Sequence, residues 1–242
     1  MTELLRAHGL AKSFRGLKAV ASASFDVAEG EIAALIGPNG AGKTTVFNLI
    51  AGVHAPDAGT IHFGGRPIHG LRPDQICAAG IGRTFQLVKP FPTLSVLDNV
   101  VVGALRVERT VAGARTAARA MLGRLGLEAR AAHPAATLTL SDRRRLEVAR
   151  ALATRPRLLL LDEVMAGLRP TECDQLVEVF RGLNRSEGVT LLLIEHVMRA
   201  VMALAQRIAV LDRGEVIATG TPGEVVNNPA VLSCYLGEDT EL

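Results

Sequence analysis

The strongest chemical signal in the sequence is a glycine-rich stretch that ends in lysine and two threonines. It reads Gly37-Pro38-Asn39-Gly40-Ala41-Gly42-Lys43-Thr44-Thr45. This stretch follows an apolar run, precedes a helical pattern and satisfies G-x-x-x-x-G-K-S/T in full, so a chance glycine-rich turn is disfavoured. Its glycines let backbone N–H groups and a helix N-terminus approach phosphate oxygens. We therefore predict that the whole stretch binds a nucleotide, with Lys43 on the β- and γ-phosphates and the Thr44 hydroxyl on Mg²⁺.

A second chemical signal lies much later, where a run of four leucines ends in the acids Asp162 and Glu163. A buried strand that ends in an acid delivers the carboxylate to the carboxyl edge of a sheet, where a phosphate loop also lies. We expect Asp162 to reach Mg²⁺, directly or through water, and Glu163 to accept a proton from the attacking water. A solvated strand cap is the alternative interpretation, which the complete phosphate loop disfavours.

The elements that must position these residues follow from hydrophobic patterning. Continuous apolar runs followed by helical patterns predict buried strands of a parallel sheet that is covered on both faces; the runs are Ile32–Ile36, Leu158–Leu161 and Thr190–Ile194. Hairpins are predicted around Gly59–Arg66 and between Arg207 and Thr219, and a short strand at Phe25–Val27. The segment Phe91–Ala153 is rich in Ala, Leu and Arg with three- and four-residue apolar spacing, which predicts a helical lobe inserted into one α/β unit.

The amino-acid composition indicates the structural class of the protein. The chain has 242 residues, of which 48% are hydrophobic and 21% charged, as in a globular protein of one or two domains. The most apolar stretch, Val189–Ala205, is interrupted by charged and polar residues and does not predict a membrane span. The first residues lack the pattern of a secretory signal. The three scattered cysteines (Cys77, Cys173 and Cys234) fit neither a zinc site nor a disulfide framework and suit a reducing cytoplasm.

The net positive charge of the chain limits which classes of partner can be expected. A net charge of +3 is compatible with nucleic acid or with an anionic membrane surface. The densest basic run is only Arg143–Arg145, however, so dispersed arginines on a solvated surface are the preferred interpretation, and no nucleic-acid partner is predicted.

Together these motifs resemble the ATP-binding-cassette family over essentially the whole chain. The resemblance implies a P-loop NTPase (RecA-like) α/β core with an antiparallel β subdomain, covering about residues 1–88 and 157–242. It also implies an inserted α-helical subdomain at about 89–156. Phe14 lies where the family carries an aromatic side chain that stacks on adenine, although a core position is the alternative.

Two further residues match the family's catalytic positions. Gln86, in the sequence RTFQ, matches the family's lone glutamine between the two lobes, which contacts Mg²⁺ or the attacking water. His196 ends the apolar run after Glu163 and matches the family's switch histidine, which hydrogen-bonds the γ-phosphate. A lone histidine is more often an ordinary satisfied polar residue, but its strand-end position favours the functional interpretation.

The chain departs from the family at two places. The element Leu-Ser-Gly-Gly-Gln, which in the family binds ATP held by the opposite subunit, is replaced by Leu138-Thr139-Leu140-Ser141-Asp142. The hydroxyl survives as Thr139, and the Ser141–Asp142 pair is predicted to cap the following helix, so Thr139 and Ser141 remain candidate ATP ligands. Arg169 stands where the family usually has an aspartate at the contact between subunits.

The flanking sequences resemble one branch of the family, the ATP-binding subunits of branched-chain amino-acid importers and of related amide and urea importers. The segments that carry this resemblance are FRGLKAV, RTFQ, FPTLSVLDNVVV, LLLLDEVMAGL and GTPGEVVNNPAVLSCYLG. The segment Leu87–Val100 is expected to line a groove for a helix of the membrane subunit, with a proline-bearing surface loop as the alternative.

The resulting prediction is an ATP- and Mg²⁺-dependent ATPase that lies in the cytoplasm, peripheral to the inner face of the membrane. Its expected partners are permease subunits and a second cassette, identical or different. Two alternatives stay open. One is a cassette with weak or no hydrolysis in an asymmetric pair, which the altered Thr139–Asp142 element favours. The other is a soluble cassette ATPase of DNA repair or translation, which usually has two cassettes or a long coiled-coil insertion.

Overall fold

The computed structural model describes residues 2–86 and 89–236. Within them the strands are β1 (Glu3–Phe14), β2 (Leu17–Ala28), β3 (Ile32–Ile36), β4 (Ala58–Phe63), β5 (Arg66–Pro67), β6 (Ile81–Arg83), β7 (Leu158–Asp162), β8 (Thr190–Ile194), β9 (Arg207–Asp212) and β10 (Glu215–Gly220). The helices are α1 (Lys43–Ile50), α2 (Pro73–Ala79), α3 (Val96–Ala104), α4 (Val111–Arg124), α5 (Leu140–Leu152), α6 (Pro170–Glu187), α7 (Met198–Leu204), α8 (Pro222–Val226) and α9 (Pro229–Leu236). The strands join in the order β5-β4-β1-β2-β10-β9-β3-β8-β7-β6.

One half of the sheet is parallel and buried. Strands β9, β3, β8, β7 and β6 pair in parallel, and every residue of β3, β7 and β8 is buried. Such strands need apolar residues on both faces, which is why they are continuous apolar runs in the sequence. The predicted parallel sheet is confirmed. Because β3, β7 and β8 run in the same direction, the segments that follow them meet at one edge.

Strands β5, β4, β1 and β2 of the other half of the sheet are antiparallel to one another, whereas β10 pairs with β2 in parallel. Strands β1 and β2 each have 12 residues and are joined by Arg15 and Gly16, both of which have positive φ angles (48° and 89°). A two-residue turn with positive φ angles matches the right-handed twist of a hairpin. The predicted strand Phe25–Val27 was too short, because β2 alternates buried and exposed residues along its length and only its end is strongly apolar.

The predicted hairpins and the helical middle of the chain are confirmed. Strands β4 and β5 form the first hairpin and β9 and β10 the second. Helices α3, α4 and α5 are capped at their N-termini by Ser95, Thr110 and Thr139, whose hydroxyl groups each accept a hydrogen bond from the N–H three residues later. Buried side chains of these helices form one cluster with Leu159 and Leu161 of the sheet. The subdomain boundaries near residues 89 and 156 stay a prediction.

The described helices do not include one that is both long enough and apolar enough to cross a bilayer.

Candidate active site

The glycine-rich loop lies between β3 and α1, and two of its glycines are required by close packing. A Cβ atom on Gly37 would lie 1.9 Å from the carbonyl oxygen of Leu211, and one on Gly42 would lie 2.3 Å from that of Ala19. Both residues also have positive φ angles, of 151° and 103°. Any larger residue at either position would push the loop away from the neighbouring strands. The strand β2, which contains Ala19, therefore supports the loop directly.

The charge of the loop is concentrated at Lys43. This side chain is 6% exposed, and its Nζ donates hydrogen bonds to the carbonyl oxygens of Gly37 (2.6 Å) and Pro38 (2.7 Å). The ammonium group thus lies against the loop. The first turn of α1 contains no acidic residue, and Gly42 provides no side-chain cap for its N–H groups. A cation and the N-terminus of a helix together form an anion site.

Asp162 ends β7 and is fully buried beside Arg83. The Arg83 guanidinium donates to Oδ2 of Asp162 (2.9 Å) and to Oδ1 of Asn48 on α1 (2.7 Å), so it ties the strand end to the helix that follows the phosphate loop. Within the described residues, Oδ1 of Asp162 is buried and accepts no hydrogen bond. Burial raises the pKa of Asp162 above its ordinary value, although Arg83 opposes this shift. A buried carboxylate oxygen of this kind fits a divalent cation, which prefers oxygen ligands.

Three residues predicted to be catalytic meet at Glu163. The side-chain Nε2 of Gln86 donates to Oε2 of Glu163 (2.8 Å), and Nε2 of His196 lies 3.1 Å from Oε1. These residues follow β6, β7 and β8, which are neighbours in the sheet. With its proton on Nε2, His196 donates to the carboxylate, and both oxygens of Glu163 are then oriented by a neighbouring side chain.

The backbone at Glu163 adopts an uncommon conformation. Its φ angle is +50°, in the left-handed region that costs a residue with a side chain roughly 1–2 kcal/mol. The turn is held by hydrogen bonds from the N–H of Glu163 to the carbonyl of Ile194 and from the N–H of Met165 to Oε1 of Glu195, both of 2.9 Å. Strained backbone at such a site persists because its surroundings fix it.

Sequence reasoning missed the role of Arg144 and placed its basic run on the solvated surface, which is wrong for this residue. Arg144 is 8% exposed and donates from α5 to the carbonyl oxygen of Gln86 (2.6 Å). A run of arginines does not reveal which member points inward, because helix phase and packing decide it. The contact joins the helical middle of the chain directly to the glutamine that contacts Glu163.

Glu195 was also missed, since it was treated only as a charge that interrupts an apolar stretch. It is 1% exposed, and its Oε2 atom is buried without a hydrogen-bond partner in the part of the chain that the structure describes. Burial, together with the nearby charge of Glu163, raises the pKa of Glu195 to about 7, against the opposing effects of the Met165 N–H and Arg144. An acid directly before a candidate catalytic histidine could have been the signal.

Phe14 and Arg169 both lie at the surface. Phe14 ends β1, is 38% exposed and packs edge-to-face against His54, with 5.2 Å between ring centroids. The alternative core position is therefore not what the structure shows. Arg169 directly precedes α6 and is exposed, and its N–H donates to Oε2 of Glu172 (2.8 Å).

The predicted cap at Ser141–Asp142 is wrong, because the residue that caps α5, Thr139, lies two residues before Ser141. Thr139 has extended backbone angles, and its hydroxyl accepts from the N–H of Asp142 (3.2 Å). Ser141 therefore lies inside the first turn and is 8% exposed. Thr139 is exposed, so the hydroxyl that survives at this element is accessible, whereas that of Ser141 is buried.

Comparison with known proteins identifies the family. A family model described as "ABC transporter" matches residues 20–166. The chain belongs to the ABC transporter family. A second model, described as "Branched-chain amino acid ATP-binding cassette transporter", matches residues 215–241. As a member of this family the cassette is an ATP-binding ATPase, as the sequence predicted.

Individual relatives agree with this assignment. The cassette is 42% identical to the high-affinity branched-chain amino acid transport ATP-binding protein LivG of Salmonella typhimurium, over 97% of this chain and 98% of the relative. It is 40% identical to the corresponding protein BraF of Pseudomonas aeruginosa, with the same coverage. The solved structure of MJ1267, an ATP-binding cassette of an ABC transporter in its ADP conformation, superposes with a TM-score of 0.88 at 28% identity. That superposition covers 98% of this chain and 100% of MJ1267.

The buried Glu195 generates a prediction about pH. Its raised pKa means that the folded chain retains a proton that the unfolded chain loses above about pH 4.5, so stability falls as pH rises from there towards 7. Glu195→Gln does not titrate and is expected to escape this loss, which amounts to roughly 3 kcal/mol. Urea unfolding of wild type and variant at about pH 4.5 and about pH 7.5 measures the difference.

Glu178→Gln, at an exposed site on α6, is the control and should keep the wild-type pH dependence. If the free energy of unfolding changed equally with pH in wild type and in Glu195→Gln, the prediction would be contradicted.

Proposed function

We propose that this cassette hydrolyses Mg-ATP to drive a membrane-embedded permease that imports branched-chain amino acids or related amides. The observation that carries the proposal is the convergence of Gln86 and His196 on the carboxylate of Glu163. This cluster lies at the same sheet edge as the phosphate loop.

The nucleotide would be held mainly by the loop. Backbone N–H groups of residues 37 and 39–45 and the ammonium group of Lys43 would bind the β- and γ-phosphates, as the packing of the loop glycines supports. Pro38 has no N–H to donate and would contribute only through its place in the loop. The exposed face of Phe14 would stack on adenine. Thr139 of an opposite cassette, exposed at the start of α5, would approach the γ-phosphate, and Ser141 would act only through its position in the first turn.

Mg²⁺ would be held by Thr44, Gln86 and Asp162, with the buried Oδ1 of Asp162 as the strongest argument. The described residues contain no cluster of three His, Cys, Asp or Glu side chains arranged for a metal. Few protein ligands are expected, because Mg²⁺ usually takes one or two carboxylates together with phosphate oxygens and water. When bound, the ion would neutralise charge on the β- and γ-phosphate oxygens.

Hydrolysis would depend on Glu163 as the general base. A water oxygen attacks the γ-phosphorus, the bond to the β-phosphate oxygen breaks, and the water proton passes to the Glu163 carboxylate. Gln86 and His196 would orient this carboxylate in the resting arrangement. In the ATP-bound arrangement, Gln86 would contact the attacking water and His196 would donate to the γ-phosphate.

The first prediction for this mechanism concerns Glu163→Gln. The amide keeps the shape of the side chain but cannot take the proton, so kcat should fall by about 10²–10⁴-fold with the Kd for Mg-ATP nearly unchanged. Lys43→Ala should instead weaken ATP binding. Steady-state phosphate release and equilibrium nucleotide titration distinguish the two, with Glu178→Gln as the exposed control. Normal turnover in Glu163→Gln would rule out the general-base role.

A surface groove supports coupling to a permease. The groove, of about 250 Å³, lies between α2, α3 and α5, and its lining includes Val53, Ile76, Phe85 and Val102. Three of these side chains are exposed by 40% or more: Val53, Phe85 and Val102. Exposed apolar side chains gathered around one groove suit the apolar face of a partner helix.

This groove is connected to the catalytic cluster. Phe85, which lines the groove, directly precedes Gln86 in the chain. Arg150 of α5 also lines the groove, and its guanidinium donates to the carbonyl oxygen of Lys89 (3.0 Å) with Cζ 5.0 Å from the centroid of the Phe91 ring. A helix seated in the groove would therefore bias the position of Gln86, which is how nucleotide state and permease would influence one another. Residues 89–100 of the predicted lining segment Leu87–Val100 do not line this groove, and Leu87 and Val88 lie outside the described residues.

The cargo is proposed from likeness alone. Two relatives that align along nearly their whole length are named for branched-chain amino acid transport, and the C-terminal family match points the same way. A cassette of this kind acts from the inner face of the membrane, where its groove would meet the permease.

We therefore predict a defect in amino-acid uptake. Cells that lack this cassette should take up radiolabelled leucine and valine poorly, and wild-type chain should restore uptake whereas Lys43→Ala should not, at equal protein levels. Urea uptake serves as the comparison. Normal leucine uptake in the deleted cells, with a loss of urea uptake, would assign the cassette to the related importers instead.

A second candidate, an asymmetric pair with a different cassette, is favoured by the altered element at the start of α5. Asp142 adds negative charge near the phosphate that this element would face, and Leu140 is 48% exposed where the family has glycine. The catalytic cluster of this chain is intact, so the weaker contribution would be to the neighbour's site.

Solution mass distinguishes the two arrangements. Glu163→Gln with Mg-ATP should remain mostly monomeric, because two Asp142 carboxylates would each face a triphosphate. Adding Leu140→Gly, Ser141→Gly and Asp142→Gln should promote a dimer with Mg-ATP but not with Mg-ADP. A full ATP-dependent dimer of Glu163→Gln alone would favour an identical pair and count against the asymmetric arrangement.

A further inference from the structure

The turn that carries Glu163 is hydrogen-bonded to the end of β8 twice, once through a backbone carbonyl and once through a side chain. Asp162 and Ile194 are the last paired residues of β7 and β8. The N–H of Glu163 still reaches the carbonyl of Ile194, at 2.9 Å. One step further the strands have separated, and the N–H of Met165 is instead accepted by Oε1 of Glu195, at 2.9 Å. The side chain of Glu195 thus continues the ladder where the backbone no longer can.

Both backbone polar groups of Met165, its N–H and its carbonyl, are contacted by neighbouring side chains. Its side chain is 1% exposed, its N–H is bound by Glu195, and Sγ of Cys173 on α6 lies 3.8 Å from its carbonyl oxygen. Met165 lies two residues after Glu163, whose φ angle is +50°. Fixing Met165 therefore fixes the far side of the turn that holds Glu163 in the left-handed region.

Burying the glutamate side chain of Glu195 opposes folding unless a specific contact compensates for it. Its second oxygen, Oε2, is buried and has no hydrogen-bond partner among residues 2–86 and 89–236. Packing alone would be served better by an apolar side chain, since burying an unsatisfied polar atom opposes folding. Its neighbour His196 is exposed and faces Glu163, whereas the side chain of Glu195 is 1% exposed. Glu195 therefore contacts the backbone behind the site, and not the cluster itself.

We propose that Glu195 is a positioning residue for hydrolysis: by accepting the Met165 N–H, it holds the left-handed turn that aims Glu163 at Gln86 and His196. It also connects the strand end that carries His196 to the segment Met165–Arg169, which leads into α6. The inference rests on the proposed general-base role of Glu163 and adds the residue on which the orientation of that base depends.

The test compares two substitutions of Glu195 in the full-length chain. Glu195→Gln keeps an oxygen that accepts the Met165 N–H and should retain kcat within about threefold, whereas Glu195→Leu removes the acceptor. A displaced catalytic group costs on the order of 10²-fold in rate, so we expect Glu195→Leu to lose kcat on that scale. The Kd for Mg-ATP should stay within about twofold of wild type in both variants, since the phosphate loop is unaltered.

A matched control separates this role from general stability. Glu31 is also a buried glutamate (5% exposed) whose Oε2 accepts a backbone N–H, that of Ala28 at 2.7 Å. It precedes β3, at the end of the strand away from the phosphate loop. Glu31→Leu should lower Tm without lowering kcat. If Glu195→Leu fails to fold, Glu195→Met provides a second apolar variant of similar length.

Each outcome decides the inference. The inference is supported if kcat falls in Glu195→Leu and is retained in Glu195→Gln. It is supported further if adding Glu195→Leu to Glu163→Gln lowers kcat no further, since the effects of substituting residues that act as a unit are not additive. Wild-type kcat in Glu195→Leu, or equal loss in Glu195→Gln and Glu195→Leu, overturns it. If Glu163→Gln itself turns over normally, the proposed general-base role fails, and that result is independent of Glu195.

Discussion

The hydrogen bonds that Gln86 and His196 make to the Glu163 carboxylate are the constraint on which the rest of the site depends. They join three segments that are far apart in the chain. The contact is possible because β6, β7 and β8 are adjacent and parallel, so that their carboxyl ends meet at one edge. The continuous apolar runs that form β7 and β8 therefore position the proposed catalytic residues as well as pack the core, since a shift in register would separate the three side chains.

Buried charge explains how the helical middle of the chain contacts the site. Asp162, Glu147 and Glu195 are all buried, and burial raises the pKa of each. The charge of Arg144 opposes all three shifts, while its guanidinium donates to the carbonyl of Gln86. One cation on α5 thus stabilises the carboxylates of the core and holds the segment that carries Gln86. Displacing α5 would alter the electrostatics and the geometry of the site together.

The sequence predicts the fold and the convergence of the motifs because both depend on local patterns. Apolar runs mark the buried strands, and strand ends place Asp162 and His196 at one edge. The supporting contacts are not encoded in this way. The pairing of Arg83 with Asn48 and Asp162 depends on how β6 lies relative to α1. The choice of Thr139 as the cap of α5 depends on backbone angles that Ser141 could equally have adopted. Such choices are made by tertiary packing among locally equivalent residues.

The two departures from the family pattern lie next to each other in the structure. A Cβ atom on Gly167, in the segment before Arg169, would lie 3.3 Å from Cδ2 of Leu140. The changed element at the start of α5 and the changed segment before α6 therefore belong to one surface. At this surface Asp142 adds a negative charge relative to the family pattern, and Arg169 replaces a negative charge by a positive one. Because the two changes have opposite sign, they offset each other in part while altering what the surface presents to a neighbour. Gln86 and His196 keep their hydrogen bonds to Glu163, so a change in the proposed partner contact would leave the proposed hydrolytic residues in place.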